Sequence, residues 1–345
     1  MSDFTMAPRR RWPVFVPFAI VVVLAAAWSG FWYFAARAAE QNIAAWMEQE
    51  ARYGRVYNCG SRTFGGYPFR IEMRCTDPVA EIKTGPLTLK AKEFLAVAQV
   101  YQPNLIIGEI TGPLSIAASD KPPLLTGEWR LAQASVRLTP MPERISIVID
   151  DAKFNASAPN GAQGAASANH IELHVRIDPA STADKPVLDL AATVAGLTVP
   201  SAGTFGARPI DAEVAAVLRG LNDFKPKPLP VRLKEWQAAG GRIEITNVRV
   251  KQGDAVAVAT GDFGLSAAGR VDGTLGITLA GFDQVVQALL GSQGKNTGLL
   301  AVAGLSFLGK PTEIDGKRAI AVPLRFADGA VFFGPIPLGK TLPLY

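Results

Sequence analysis

The chain has 345 residues, with 35 basic against 30 acidic side chains, a net charge of +5 and 48% hydrophobic residues. That small positive excess includes no basic run beyond Arg9, Arg10 and Arg11, so the sequence carries no electrostatic footprint for nucleic acid. A mean hydropathy of +0.17, in a chain with room for one membrane span, means that the rest also holds much apolar surface, in a large core, a groove, or both.

The stretch Trp12–Phe34 carries no charge, and about 20 apolar residues suffice for a helix to cross the hydrocarbon core of a bilayer. Pro13 falls in the first turn, where a missing N–H costs little, and Pro17 would at most kink the helix. Trp12 at one end, and Trp28, Phe31, Trp32 and Tyr33 at the other, suit an aromatic interface belt. Arg9–Arg11 precede the span and Arg37 stands alone after it, so the positive-inside bias places residues 1–11 in the cytoplasm and the rest across the membrane. Ala36-Arg37-Ala38 imitates the cleavage site of a secretory signal, the competing reading. The apolar stretch, however, is longer than the core of about 7–15 residues that such signals have, which favours a retained anchor. Residues 35–53 then form a helical stalk, with Ile43, Trp46, Met47 and Glu50 on helical spacing.

From Arg55 the period changes to two, and residues 54–345 are expected to form an exported β-rich domain, with possible lobes at 54–205 and 206–345. Ile71, Met73 and Cys75 alternate with Arg70, Glu72 and Arg74. The alternation recurs around Leu87–Lys92, Ile145–Asp150, His170–Ile177, Leu188–Leu190, Ile243–Ile245, Leu275–Leu279 and Val322–Phe326. A change of apolar parity between Ile245 and Val248 predicts a β-bulge. Gly/Pro-rich turns separate these segments without long helical patterns, which means an antiparallel meander rather than βαβ units. Helices are expected at Val231–Ala239, closed by Gly240-Gly241, at Phe282–Leu290, and at Thr297–Leu308, the last a core helix or a groove cover. The prolines of the C-terminal run exclude a central strand, so residues 330–345 read as an edge strand or a covering tail.

The patterns of known chemistry fail in turn. His170 and His174 are the only histidines; in HIELH the glutamate is in the middle, and on a strand residues four apart are separated by about 13 Å, which suits a solvated face better than a metal ion. Gly291–Thr297 lacks the glycine spacing of a P-loop, and no Gly-x-Ser-x-Gly elbow occurs. The adjacent Asp150 and Asp151 point to opposite faces of a strand. The two cysteines, Cys59 and Cys75, read as a disulfide in an oxidising compartment, the alternative being buried thiols. Phe64–Arg70, FGGYPFR, is the most distinctive local motif: either Tyr67 and Phe69 form a groove or surface feature, or they tuck into the core behind a tight turn.

The anchor, FGGYPFR between Cys59 and Cys75, the segment Trp236–Arg242 and the ending GPIPLG together resemble the envelope family known as domain of unknown function 2125. Gly241–Leu279 is also similar to the C-terminal region of AsmA-like proteins. This second resemblance implies a curved sheet with an apolar concave face, anchored in the inner membrane and associated with lipid handling in a Gram-negative envelope. The two resemblances supply no catalytic residue, cofactor or metal. The expectation is therefore a mainly β, non-enzymatic protein, with a few helices covering a curved antiparallel sheet, that binds phospholipid or another envelope lipid in an apolar groove. A scaffold for another envelope protein is the alternative, and an envelope hydrolase a distant third.

Overall fold

A computed structural model of the protein describes residues 12, 15–83, 85, 87–118, 121–138, 142–157, 163–179, 181–182, 185–224, 227–281 and 309–345. The expected helices at 282–290 and 297–308, the segment 291–297 and the tail 1–11 lie outside them.

The N-terminal helix α1 runs without interruption over Val16–Arg52, joining the expected anchor and stalk into one rod about 55 Å long. The Ala- and Glu-rich junction keeps helix propensity through the end of the apolar stretch, and Pro17 sits in the first turn, where it disturbs nothing. Gly54, at φ +78°, follows the last turn and turns the chain into the first strand.

Beyond it the chain is almost entirely strand: β1 (Arg55–Asn58), β2 (Ser61–Gly65), β3 (Arg70–Thr76), β4 (Val79–Ile82), β5 (Leu87–Lys90), β6 (Glu93–Gln99), β7 (Gln102–Thr111), β8 (Leu114–Ala118), β9 (Pro123–Glu128), β10 (Leu131–Leu138), β11 (Pro142–Ser157), β12 (Gln163–Ile177), β13 (Leu188–Leu197), β14 (Ile210–Arg219), β15 (Arg242–Gln252), β16 (Ala255–Leu265), β17 (Val271–Ala280), β18 (Lys310–Ile314), β19 (Lys317–Ala327), β20 (Ala330–Phe333) and β21 (Ile336–Lys340). They form one large curved antiparallel sheet. The first ten are halves of five longer strands, each broken once. β1 and β2 together pair with β4 and β3, those with β5 and β6, those with β8 and β7, and those with β9 and β10. β11 then pairs with β10 along its first part and with β9 along its second. From there the meander continues strand by strand to β17, crosses to β19, and ends on β20 and β21, with β18 also on β19.

The breaks line up as a crease. Asp77 and Asp151 take left-handed conformations on it, at φ +46° and +52°. Backbone hydrogen bonds from Gly60 to Thr76, from Asp77 to Lys92, from Lys92 to Thr111 and from Arg130 to Asp150 carry the ladder across. A residue in the left-handed region rotates the next side chains to the other face. On β11 the apolar positions accordingly change from Ile145, Ile147 and Ile149 to Ala152, Phe154 and Ala156. The sheet bends there, enclosing what lies on its inner face.

That inner face is apolar from end to end. In register, Met73 lies beside Ala96, then Gly108, Ala134, Ile147, Leu173, Ala192, Val214, Val248, Ala259, Ile277 and Val322, one residue per strand. The expected bulge falls between Ile245 and Val248 and keeps β15 in phase with this row. Most of these side chains are half-buried; Leu173 and Val214 are exposed. The helix Leu229–Ala238, two residues earlier than expected at its start, closes the β14–β15 connection. Its Trp236 is buried and donates its indole N–H to the Arg219 carbonyl at 2.6 Å. A Cβ on Gly241 would stand 2.2 Å from that indole nitrogen, so the glycine is needed for the close approach as well as for the helix stop.

Candidate functional site

The bend and the C-terminal half of α1 enclose an apolar cleft of about 300 Å³, at the lower end of the range for small-molecule sites. Ile43, Trp46 and Met47 of α1 form one wall. Met73, Cys75, Phe94 and Ile110, from one side of the crease, form the second. Tyr57, Ala80, Leu89 and Leu114, from the other side, form the third. Alternation alone delivers these side chains: Leu89 pairs with Ala80 and Ala80 with Tyr57 on one side, while Cys75 pairs with Phe94 and Phe94 with Ile110 on the other.

Three contacts fix the walls. Cys59 and Cys75 form the expected disulfide, which joins the β1–β2 turn to β3 across the crease, and Cys75 is only 2% exposed. Trp46 stacks on Tyr57 with ring centroids 5.1 Å apart, holding α1 against β1. Glu50 near the end of α1 accepts two hydrogen bonds from the Arg55 guanidinium, which holds the Glu50 carboxyl below its ordinary value. Two cations, Arg62 and Lys90, stand at the rim of this space, whose remaining lining is apolar apart from Asn58. The Arg62 Nη1 lies 3.1 Å from the Met47 sulfur, and among the described residues neither cation is in an ion pair.

Tyr67 and Phe69 do not line the cleft. Gly66, at φ +98° with its α-carbon hemmed in by the Arg70 backbone, makes the tight turn that presents them. They are 56% and 61% exposed and lie against α1 near the end of its apolar stretch. Trp28 donates its indole N–H to the Pro68 carbonyl at 2.9 Å, and Trp32 donates to the Arg70 carbonyl at 2.8 Å. The Ser29 and Tyr67 hydroxyls are 2.9 Å apart. The motif is a surface turn docked on the helix, with neither ring tucked into the core.

The histidines sit on the outer, polar face of β12. His170 Nδ1 is 2.6 Å from Asp150, and Glu172 lies between the two rings, 3.1 Å from His170 Nε2 and 3.3 Å from His174 Nε2. Hydrogen bonds to Asp150, then Glu172, push His170 above its ordinary value, and the same bonds hold both carboxyls down. Arg130 adds ion pairs to Asp150 and Asp151, so this charged group braces the crease from outside.

Sequence reasoning reached Ile43, Trp46, Leu89, Met73 and Cys75 through their periodicity, without bringing them together. It missed Ile110, because the run Gln102–Thr111 holds consecutive isoleucines that mask its alternation.

A protein-family model described as an uncharacterized protein conserved in bacteria (DUF2125) matches residues 32–341, and the chain belongs to that family. The match begins at Trp32 and takes in the docked turn, the cleft and the whole sheet. No curated protein matches the chain.

Proposed function

We propose that this family member is a non-enzymatic lipid-binding protein, anchored by α1 in the inner membrane, with its sheet in the periplasm, that holds an acyl chain in the cleft between α1 and the creased sheet. The observation that carries the reading is the cleft itself, lined mostly by apolar side chains, with Asn58, Arg62 and Lys90 the polar residues of its lining. Each buried methylene is worth about 0.8 kcal/mol, so a stretch of roughly ten would gain about 8 kcal/mol before the costs of ordering are subtracted. The rim cations suit the phosphate or carboxylate head of such a molecule. α1 supports the anchoring, since it is long and apolar enough to cross a bilayer, and the disulfide supports an oxidising compartment.

The test places a photo-crosslinking side chain at Leu114 in the full-length protein in cells, with Asp254, in an exposed turn, as the control. Acyl-lipid adducts at Leu114 well above those at Asp254, and reduced by Leu89→Asp, are the expected result. Equal labelling at the two sites would reject the reading.

A scaffold role is the second reading, favoured by β21. Among the described residues it pairs with β20 alone and leaves Ile336 and Leu338 exposed along a sheet edge, the kind of edge that another chain can extend. Adducts to a polypeptide from Leu338, with none to lipid from Leu114, would move the assignment there.

A further inference from the structure

The FGGYPFR turn is held at a defined height on α1. Its contacts are with Trp28, Ser29 and Trp32, and the rings of Phe69 and Tyr67 lie 6.2 and 5.4 Å from those of Trp28 and Trp32. A bilayer's hydrocarbon core takes up about 20 helical residues. Counted from the start of the uncharged stretch at Trp12, those residues end close to Phe31; counted from any later start, they end further along. In either case Trp28 and Ser29 belong to the last apolar turns, and whatever bonds to them shares their depth.

The β6–β7 turn lies beside it. The Val100 N–H donates to the Phe69 carbonyl at 3.0 Å, and Tyr101 next to it is 69% exposed. Three exposed aromatic rings from two turns thus face outward beside the aromatic end of the span, where Phe31 and Tyr33 are exposed as well. Tyrosine and tryptophan favour this layer because one end of the ring is apolar and the other can stay wet. Two exposed arginines stand close to it, Arg70 at the start of β3, paired with Glu72, and Arg37 on α1, paired with Glu40, and pairs this exposed can exchange a carboxylate for a lipid phosphate.

We infer that Tyr67, Phe69 and Tyr101 form a membrane-seating collar: they insert into the interface of the bilayer that α1 crosses, and Arg37 and Arg70 meet its phosphates. The inference rests on α1 being a membrane span. It fixes the height of the cleft, since Met47 is fifteen residues, roughly 20 Å, beyond Trp32 along the helix. β3 covers that interval, and its inner-face residues Ile71, Met73 and Cys75 step from the collar to the cleft wall.

The experiment uses full-length protein carrying one nitroxide spin label at a time, at Val22→Cys, Phe69→Cys, Tyr101→Cys or Asp254→Cys, in vesicles of phosphatidylethanolamine and phosphatidylglycerol. All four positions are exposed, and variants are scored when the Cys59–Cys75 bond is intact on non-reducing gels. The quantity read is the accessibility to oxygen, which concentrates in lipid, relative to a water-soluble nickel chelate. The collar predicts ratios at Phe69 and Tyr101 severalfold above that at Asp254 and below that at Val22. Ratios at both sites equal to Asp254, with Val22 in lipid, would overturn the collar and leave the anchor standing. A Val22 ratio equal to that of Asp254 would overturn the anchor and the collar together. Should the Phe69 variant fail to fold, Tyr101 decides alone.

Discussion

The two ends of the sheet are built from the same alternating sequence and reach different ends. In β1–β11 every long strand is broken once, the breaks align, and the inner face bends around a cleft that α1 and a disulfide close. Among the described residues of β12–β21 the irregularities are scattered bulges and single glycines, such as Gly196 at φ +66° and Gly273 at +154°, and the same apolar row remains a half-exposed trough ending on an edge strand. Alternation determines which face is apolar; a few left-handed residues and one cross-link determine whether that face encloses anything. The mechanical supports differ accordingly, with a covalent bond at the creased end and a buried tryptophan near the other.

That contrast can be broken from either side. The largest effect should come from Trp236→Ala, which empties a buried site and leaves the Arg219 carbonyl without its donor: a loss of about 3–5 kcal/mol in denaturant unfolding. Hydrogen exchange should rise first in β14 and β15, with the cleft strands protected; uniform exchange across all strands would show that the two ends unfold as one unit. Replacing both cysteines by alanine should cost about 3 kcal/mol for a loop of this length, with exchange rising first in β1–β4.

A smaller effect is expected from the charged brace outside the crease, and it should depend on pH. His170 is raised from an ordinary 6.5, so its contribution is fully present below that value and is lost as pH rises through the raised one. Asp150 and Glu172 are lowered from ordinary values of 3.8 and 4.5, so theirs are present above those values and are lost as pH falls through the lowered ones. The melting-temperature gap between wild type and His170→Gln should therefore be widest between pH 4.5 and 6.5 and should narrow toward alkaline pH; a constant gap would remove the brace from the account. Smallest of all, Arg249→Ala removes an exposed ion pair with Asp315 in the trough half and should change stability by less than about 1 kcal/mol.

Much of this was legible in the sequence. Ile71–Met73–Cys75 and Ile145–Ile147–Ile149 show their strands and their inward faces outright, and the Ile245–Val248 shift shows its bulge. β14 was not found, because IDAEVAAVLR is rich in alanine, a strong helix former, and only pairing on both edges makes it a strand. The cleft was not legible either. It depends on where Asp77 and Asp151 turn, and although aspartate tolerates the left-handed region better than most residues, the sequence does not show which aspartates adopt it. Tyr67 and Phe69 were recognisable as a motif, yet their depth on α1 comes from hydrogen bonds between residues about forty apart in the chain.

The pairing order of the strands bears on how such a molecule comes into being. From β1 to β17 each long strand lies against the one that precedes it in the chain, so no strand waits for a distant partner. Short-range closure is the fast and inexpensive kind. A chain folding from its N-terminal end can thus lay down its sheet one hairpin after another, each new strand covering the sticky edge left by the last. Among the described strands the growing edge passes last to β21.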